Sequence, residues 1–123
     1  MTNSQPTLIN FSHNDVTRVE KDITGKVIQG NPTQGSWLHC DIKEAGARFG
    51  QWECQAGTFR AKMDGIVEFC HILEGKAYIT NLANGAVHTV RAGDSFVMEA
   101  EFDGEWLVST YVKKSFVICD VKG

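Results

Sequence analysis

Three residues that can take part in chemistry lie within four positions of the chain, namely Glu68, Cys70 and His71. A carboxylate can act as a general acid or base, a thiolate as a nucleophile, and an imidazole as a proton carrier. Because successive side chains of a β-strand point to opposite faces, Glu68 and Cys70 are predicted to share one face and His71 the other. The acid and the thiol are therefore expected to face one space, while the imidazole packs among apolar neighbours on the opposite side.

The stretch that carries these residues, GIVEFCHILEGKAYIT at 65–80, contains two β-prone runs separated by Glu74-Gly75. We interpret this dipeptide as the turn of a hairpin, because glycine supplies the positive φ that tight turns need. Ala56-Gly57, Asn84-Gly85 and residues 92–94 give similar turn signals. Between these signals the pattern predicts strands near residues 36–41, 50–55, 57–62, 66–73, 76–81, 86–90, 94–98, 104–109 and 111–121.

The composition is that of one globular domain, since 123 residues is near the commonest domain size and 42% of them are hydrophobic. A net charge of -3 with no basic run predicts no nucleic acid and no membrane among the partners. The chain begins without the basic and apolar segments of a signal peptide, and it has no membrane-length apolar run, so we expect a cytoplasmic protein. The dispersed cysteines predict free, buried thiols.

The chain changes character near residue 36. Residues 1–35 are rich in small polar residues and have few apolar clusters, so they are expected to form an irregular N-terminal arm. Residues 36–123 carry the recurring β-prone runs and are expected to form an all-β domain. The arm is expected to wrap the domain or a partner subunit.

The order of these signals resembles the cupins, and in particular the short single-domain cupins of the ureidoglycine aminohydrolase-like and ethanolamine-utilisation type. The resemblance covers residues 36 to 120 and implies a double-stranded β-helix, or jelly-roll, barrel. It also implies a homodimer and an interior that holds a small ligand. The residues that carry it are Trp52, Glu53, Cys54, Gly57, Phe59, Arg60, residues 68–75, Gly93, Asp94, Phe96, Gly104, Trp106 and Lys114.

Cupins that bind metal use two histidines and a glutamate from a first motif, HxHxxxE, and a histidine from a second. Placing Glu68 on the motif glutamate puts Lys62 and Asp64 at the two histidine positions, and Gly104 falls at the histidine position of the second motif. A transition metal is normally held by at least three side chains, and a lysine ammonium is not a ligand. The sequence therefore predicts no metal and no other cofactor.

If the motif positions face inward, the pocket contains the catalytic candidates Glu68 and Lys62. A cation beside Glu68 would bind a carboxylate, an amide or a ureido group of a ligand. The same pair could instead be an internal salt bridge that closes the barrel. The expected ligand-binding residues are Arg60, Asp64, Cys70, Met98 and Trp106.

Three functions fit this pattern. The first is a metal-independent cupin that binds a small polar metabolite in the barrel. The second is an enzyme of small nitrogen or carbon metabolites, an aminohydrolase or isomerase, in which Glu68 is the acid or base and Lys62 or Arg60 clamps the substrate. The third is a non-catalytic assembly domain that docks through its arm and an apolar outer face.

Overall fold

The computed structural model describes residues 5–121, and most of these residues lie in β-strands. Short 3-10 helices occupy Phe11–His13 and Lys43–Ala45. The strands are β1 (Val19–Lys21), β2 (Val27–Gly30), β3 (Gln34–Ile42), β4 (Ala47–Lys62), β5 (Ile66–Asn81), β6 (Val87–Arg91), β7 (Ser95–Met98) and β8 (Asp103–Asp120). The predicted all-β jelly-roll barrel is confirmed.

Three long strands, β4, β8 and β5, lie side by side at the centre of the sheet. The strand order is β1-β3-β4-β8-β5-β6, with β2 paired to β4 and β7 paired to β5, and every pairing is antiparallel. Register shifts interrupt the pairing of β4 with β8 after Gln55 and that of β5 with β8 after Ile72 and Gly75. Such irregularities bend a strand and increase its twist, which lets one long strand follow the curve of a barrel.

The interpretation of Glu74-Gly75 as a hairpin turn was wrong. Strand β5 continues through both residues, and it pairs with β8 before and after them. Gly75 has the positive φ that a turn would need, +79°, but a Cβ at Gly75 would lie 1.9 Å from the carbonyl oxygen of Tyr111. Glycine is therefore required here because β8 passes very close, and a bulge and a turn leave the same glycine signal in the sequence.

Ala56-Gly57 is a second bulge of this kind, inside β4. The other two turn predictions are confirmed: Asn84-Gly85 lies in the connection from β5 to β6, and Gly93 lies in the connection from β6 to β7.

The N-terminal segment is attached to the barrel through two short strands. β1 pairs with the start of β3, and β2 pairs with the C-terminal part of β4. Just before β1, the Arg18 Nε donates a hydrogen bond to the Glu53 carboxylate at 2.7 Å. The guanidinium lies directly over Gly35, where a Cβ would come within 2.2 Å of it. The segment predicted as an irregular arm thus contains strands, and a glycine of β3 allows Arg18 to reach β4.

The core lies between the inner faces of the long strands. In β5, Glu68, Cys70 and Ile72 are buried, while Phe69 is 41% exposed, so the predicted alternation of faces is confirmed. All four cysteines are free; Cys54 and Cys70 are fully buried, and the other two are half-buried. Within residues 5–121 no helix is long and apolar enough to cross a membrane.

We expect Gly75→Ala to destabilise the protein far more than Gly85→Ala. The two glycines have nearly the same φ, +79° and +78°, but a Cβ at Gly85 meets nothing within 4 Å. Gly85→Ala should cost about 1–2 kcal/mol of unfolding free energy for the left-handed backbone alone. The clash with β8 should add roughly 1–3 kcal/mol at Gly75. Urea unfolding measures both, and equal losses would contradict the close packing of β5 against β8.

Candidate functional site

A buried ion pair between β5 and β8 is the centre of the site. The Lys114 Nζ donates a hydrogen bond to the Glu68 carboxylate at 2.7 Å, and the two side chains are only 7% and 8% exposed. Lys114 pairs across the strands with Ile72, which is fully buried, so its side chain faces the interior with that of Glu68. Charges in such a place are tolerated only when they are paired.

Two indole rings complete the surroundings of the Lys114 ammonium. The Nζ lies 4.5 Å from the ring centre of Trp52 and 4.8 Å from that of Trp106. An ammonium over an aromatic face is attracted by the electron density of the ring. Burial alone lowers the pKa of Lys114, but its interactions with Cys70 and with the Glu68 carboxylate raise that pKa above the ordinary value. The ion pair therefore favours the charged ammonium form of Lys114 inside the barrel.

The ion pair lines a cavity of about 210 Å³. Among the residues that the structure describes, five cations and a single acid, Glu68, line it. The apolar part of the wall comes mainly from aromatic and aliphatic side chains of β4, β7 and β8, among them Trp52 and Trp106. The cations are Lys21, Lys26, Arg60, Lys62 and Lys114.

Two buried donors beside the cavity lack a hydrogen-bond partner among residues 5–121, namely Gln34 Nε2 and Trp106 Nε1. Both residues line the cavity. The Gln34 Oε1 accepts a hydrogen bond from Trp52 Nε1 at 3.0 Å, which fixes the orientation of the amide. Buried polar groups are nearly always satisfied, so two such donors at one cavity indicate a place for acceptor atoms.

Most of the residues predicted for the site lie at this cavity. Glu68, Met98 and Trp106 are buried in its wall, while Arg60 and Lys62 line it with side chains that are largely exposed. Arg60 Nε donates to Asp103 Oδ1 at 2.8 Å.

Lys62 was expected beside Glu68, and the structure places Lys114 there instead. Lys62 is the last residue of β4, where its nearest acid is Asp64 at 3.6 Å. Asp64 itself points into solvent and does not line the cavity. The signal for Lys114 was present in the last strand, because Lys114 shares strand parity with the apolar residues Val112, Phe116 and Ile118.

Cys70 lies beside the ion pair rather than in the cavity wall. Its Sγ donates to the same Glu68 oxygen at 3.4 Å, and the residue is fully buried. Burial raises the pKa of the Cys70 thiol to about 12. The group remains a thiol near neutral pH, so in this arrangement it is a hydrogen-bond donor and not a nucleophile.

The residues present do not fit the usual cupin metal centre. Within the described part of the chain, no three His, Cys, Asp or Glu side chains come together as a metal cluster. The Glu68 oxygen that would face an ion already accepts hydrogen bonds from Lys114 and Cys70. His71 lies on the opposite face, where its Nδ1 is 2.7 Å from the Ser95 hydroxyl. The cation beside Glu68 is the ammonium of Lys114, which is part of the chain itself.

Sequence comparison now places the chain among known proteins. The family model described as EutQ-like cupin domain matches residues 43–116. The chain belongs to the EutQ-like cupin family. The resemblance seen in the sequence is thereby confirmed, although no curated protein shows a significant sequence match to this EutQ-like cupin.

Solved structures share the fold of this EutQ-like cupin at low sequence identity. The EutQ protein of Clostridium difficile is 16% identical with a TM-score of 0.65, and the match covers 89% of this chain and 98% of that one. A putative ethanolamine utilization protein Q of Salmonella typhimurium is 16% identical with a TM-score of 0.62, covering 73% and 72%. A predicted oxalate decarboxylase of Thermotoga maritima is 16% identical with a TM-score of 0.70, covering 94% and 100%.

We expect Lys114→Met to cost about 3–5 kcal/mol of unfolding free energy, because it leaves the Glu68 carboxylate buried without its cation. The double variant Glu68→Gln/Lys114→Met removes both charges and should recover most of this loss. Lys43→Met is the matched control, since Lys43 pairs with Asp41 at the surface at 3.1 Å; it should cost at most about 1 kcal/mol. Urea unfolding measures all three. A double variant as unstable as the single one would contradict the coupling.

Proposed function

We propose that this EutQ-like cupin binds a small metabolite bearing a carboxylate in its barrel, without a metal ion. The observation that carries the proposal is the buried Lys114 ammonium in a cavity whose charged lining is five cations to one acid. An ammonium in a partly dehydrated cavity binds a carboxylate through a charge-assisted hydrogen bond, which is stronger than a neutral one.

Uncompensated positive charge supports an anionic ligand. Within the described residues, Lys21 and Lys26 have no acid within ion-pair distance, although both line the cavity. Partial burial and then the charge of Lys114 lower the pKa of Lys21, while Glu68 acts in the opposite direction. The repulsion between these cations is relieved when an anion binds between them.

The shape of the site supports a short ligand with an apolar side. A volume of about 210 Å³ lies below the range of about 300–1,000 Å³ of ordinary ligand pockets, which favours a short ligand. The indoles of Trp52 and Trp106 provide an apolar wall. The unpaired N–H groups of Gln34 and Trp106 can donate hydrogen bonds to oxygen atoms of a ligand. Small polar compounds with an amino or ureido group fit only if they also bear the carboxylate.

The predicted enzymatic role of Glu68 and Lys62 stays a prediction. Glu68 would have to leave the ammonium of Lys114, 2.7 Å away, before its carboxylate could accept a proton from a substrate. The arrangement in the structure favours binding, because the Glu68 carboxylate is already hydrogen-bonded to the Lys114 ammonium.

Calorimetric titration with propionate and with propionamide tests the proposed binding. The two probes have nearly the same shape, so a carboxylate site should bind propionate at least about tenfold more tightly, a difference of about 1.4 kcal/mol. The folded double variant Glu68→Gln/Lys114→Met should lose this preference, while Lys43→Met should keep it. Equal affinity for both probes, or no binding of either, would overturn the proposal.

We also propose that a second copy of the chain covers the outer face of the sheet. Residues directly opposite one another on five neighbouring strands form an outward row, with Val97 and Phe69 at its exposed end. A two-fold axis would place this apolar row against the same row of a partner. In strand order the row is Val97, Phe69, Val117, Phe49 and Cys40.

We expect Phe69→Lys to convert a dimer into a monomer, because it would place a lysine without a partner under the second subunit, at the exposed end of the apolar row. Leu82→Lys is the control, since Leu82 is similarly exposed but lies in the turn after β5. Sedimentation equilibrium gives the masses. A monomeric wild-type protein, or a Phe69→Lys variant with an unchanged dimer mass, would refute the proposed interface.

A further inference from the structure

A second cavity, of about 370 Å³, lies between β6 and β7. Neither Glu68 nor Lys114 lines it, so the proposed binding of a carboxylate makes no use of this space. Its lining is rich in apolar side chains from β5, β6, β7 and the connection to β8. Among them are Ile79, Val90, Phe96 and Phe102.

Met98 separates this second cavity from the cavity of the ion pair. Among the residues that the structure describes, it is the only one that lines both. Met98 lies directly opposite Glu68 in the pairing of β5 with β7, and residues paired in this way point to the same face of a sheet. The residue is only 4% exposed. Its side chain therefore lies in the interior, between the two spaces.

The position of Met98 limits how far a ligand can extend. The Cβ atoms of directly opposed residues are about 4.5–5.5 Å apart, so a ligand bound beside Glu68 meets Met98 after only a few carbon atoms toward β7. The first cavity alone is smaller than an ordinary ligand pocket, whereas the two cavities joined would fall within the usual range of about 300–1,000 Å³. One side chain thus decides between a short ligand and a longer one.

We propose that Met98 is a specificity-determining residue that restricts this site to short carboxylates. The inference rests on the proposed binding of carboxylates and adds an upper limit to their chain length. Met98 acts by occupying space and carries no charge. Its effect is therefore expected in the dependence of affinity on chain length, and not in the preference for a carboxylate over an amide.

A series of straight-chain carboxylates measures this limit. Each methylene group that moves from water into an apolar cavity adds roughly fourfold in affinity. A methylene group that finds no space adds nothing, or lowers affinity by forcing side chains apart. In the wild-type protein we expect affinity to stop rising after butyrate, so that hexanoate binds no more tightly than butyrate.

Calorimetric titration of the full chain with propionate, butyrate and hexanoate tests the proposal. Met98→Ala removes the thioether and joins the cavities, so it should bind hexanoate at least about tenfold more tightly than the wild-type protein does, as two further buried methylene groups would give. It should keep the preference for propionate over propionamide. Met98→Val removes less of the side chain and should show a smaller gain in the same direction, which preserves the test if Met98→Ala does not fold.

Met63→Ala is the matched control, because Met63 is 5% exposed and lines the first cavity but not the second. It removes the same atoms without joining the cavities, so it should not show the tenfold gain. Three results are each inconsistent with a partition at Met98: wild-type affinity that keeps rising through hexanoate, no gain in the Met98 variants, or an equal gain in Met63→Ala.

These results are distinguishable from a failure of the proposed function. If the wild-type protein prefers propionate to propionamide and one of the three results is found, only the limit on chain length is refuted. If the wild-type protein shows no such preference, the proposed function fails and this inference fails with it.

Discussion

The pairing of Lys114 with Glu68 determines the character of the whole site. Neither charge can be buried alone, so the two long strands that carry them must hold both side chains in the same interior space. The Glu68 carboxylate, which the cupin resemblance would assign to a metal site, is bonded to the Lys114 ammonium instead. The pairing leaves an ammonium of the chain inside the barrel, in contact with the indoles of Trp52 and Trp106, and the unpaired positive charge at the cavity comes from Lys21 and Lys26. The charge of the cavity is thus part of the fold.

Local patterns in the sequence predicted the fold class and the direction of side chains within a strand. Alternation placed Glu68 and Cys70 inside and Phe69 outside, because this depends only on neighbouring residues. The same reliance on neighbouring residues gave a wrong prediction at Gly75, where a hairpin turn was expected. A bulge and a hairpin turn both require a glycine with positive φ, and only the partner strand, 36 residues later at Tyr111, distinguishes them.

The sequence predicted only part of the site, and the reason is related. The cupin motif correctly brought Glu68, Met98 and Trp106 to one cavity, but it also suggested Lys62 as the cation, since the motif compares positions along one segment. Lys114 comes from a distant strand, although its parity with Phe116 already indicated an inward direction. Lys21 could not be foreseen, because its polar segment has no periodicity and is placed by pairing with β3.

The long central strands also affect how the chain can be synthesised and folded. Ala47 pairs with Cys119, and β4 pairs with β8 along nearly its whole length. The barrel can therefore close only when β8, near the end of the sequence, joins strands from the middle of the sequence. On a ribosome, β4 and β5 therefore emerge well before the strand that separates them in the sheet. Until β8 arrives, their apolar inner faces and unpaired edges are open to other chains, and the newly made protein depends on rapid completion or on chaperones to avoid aggregation.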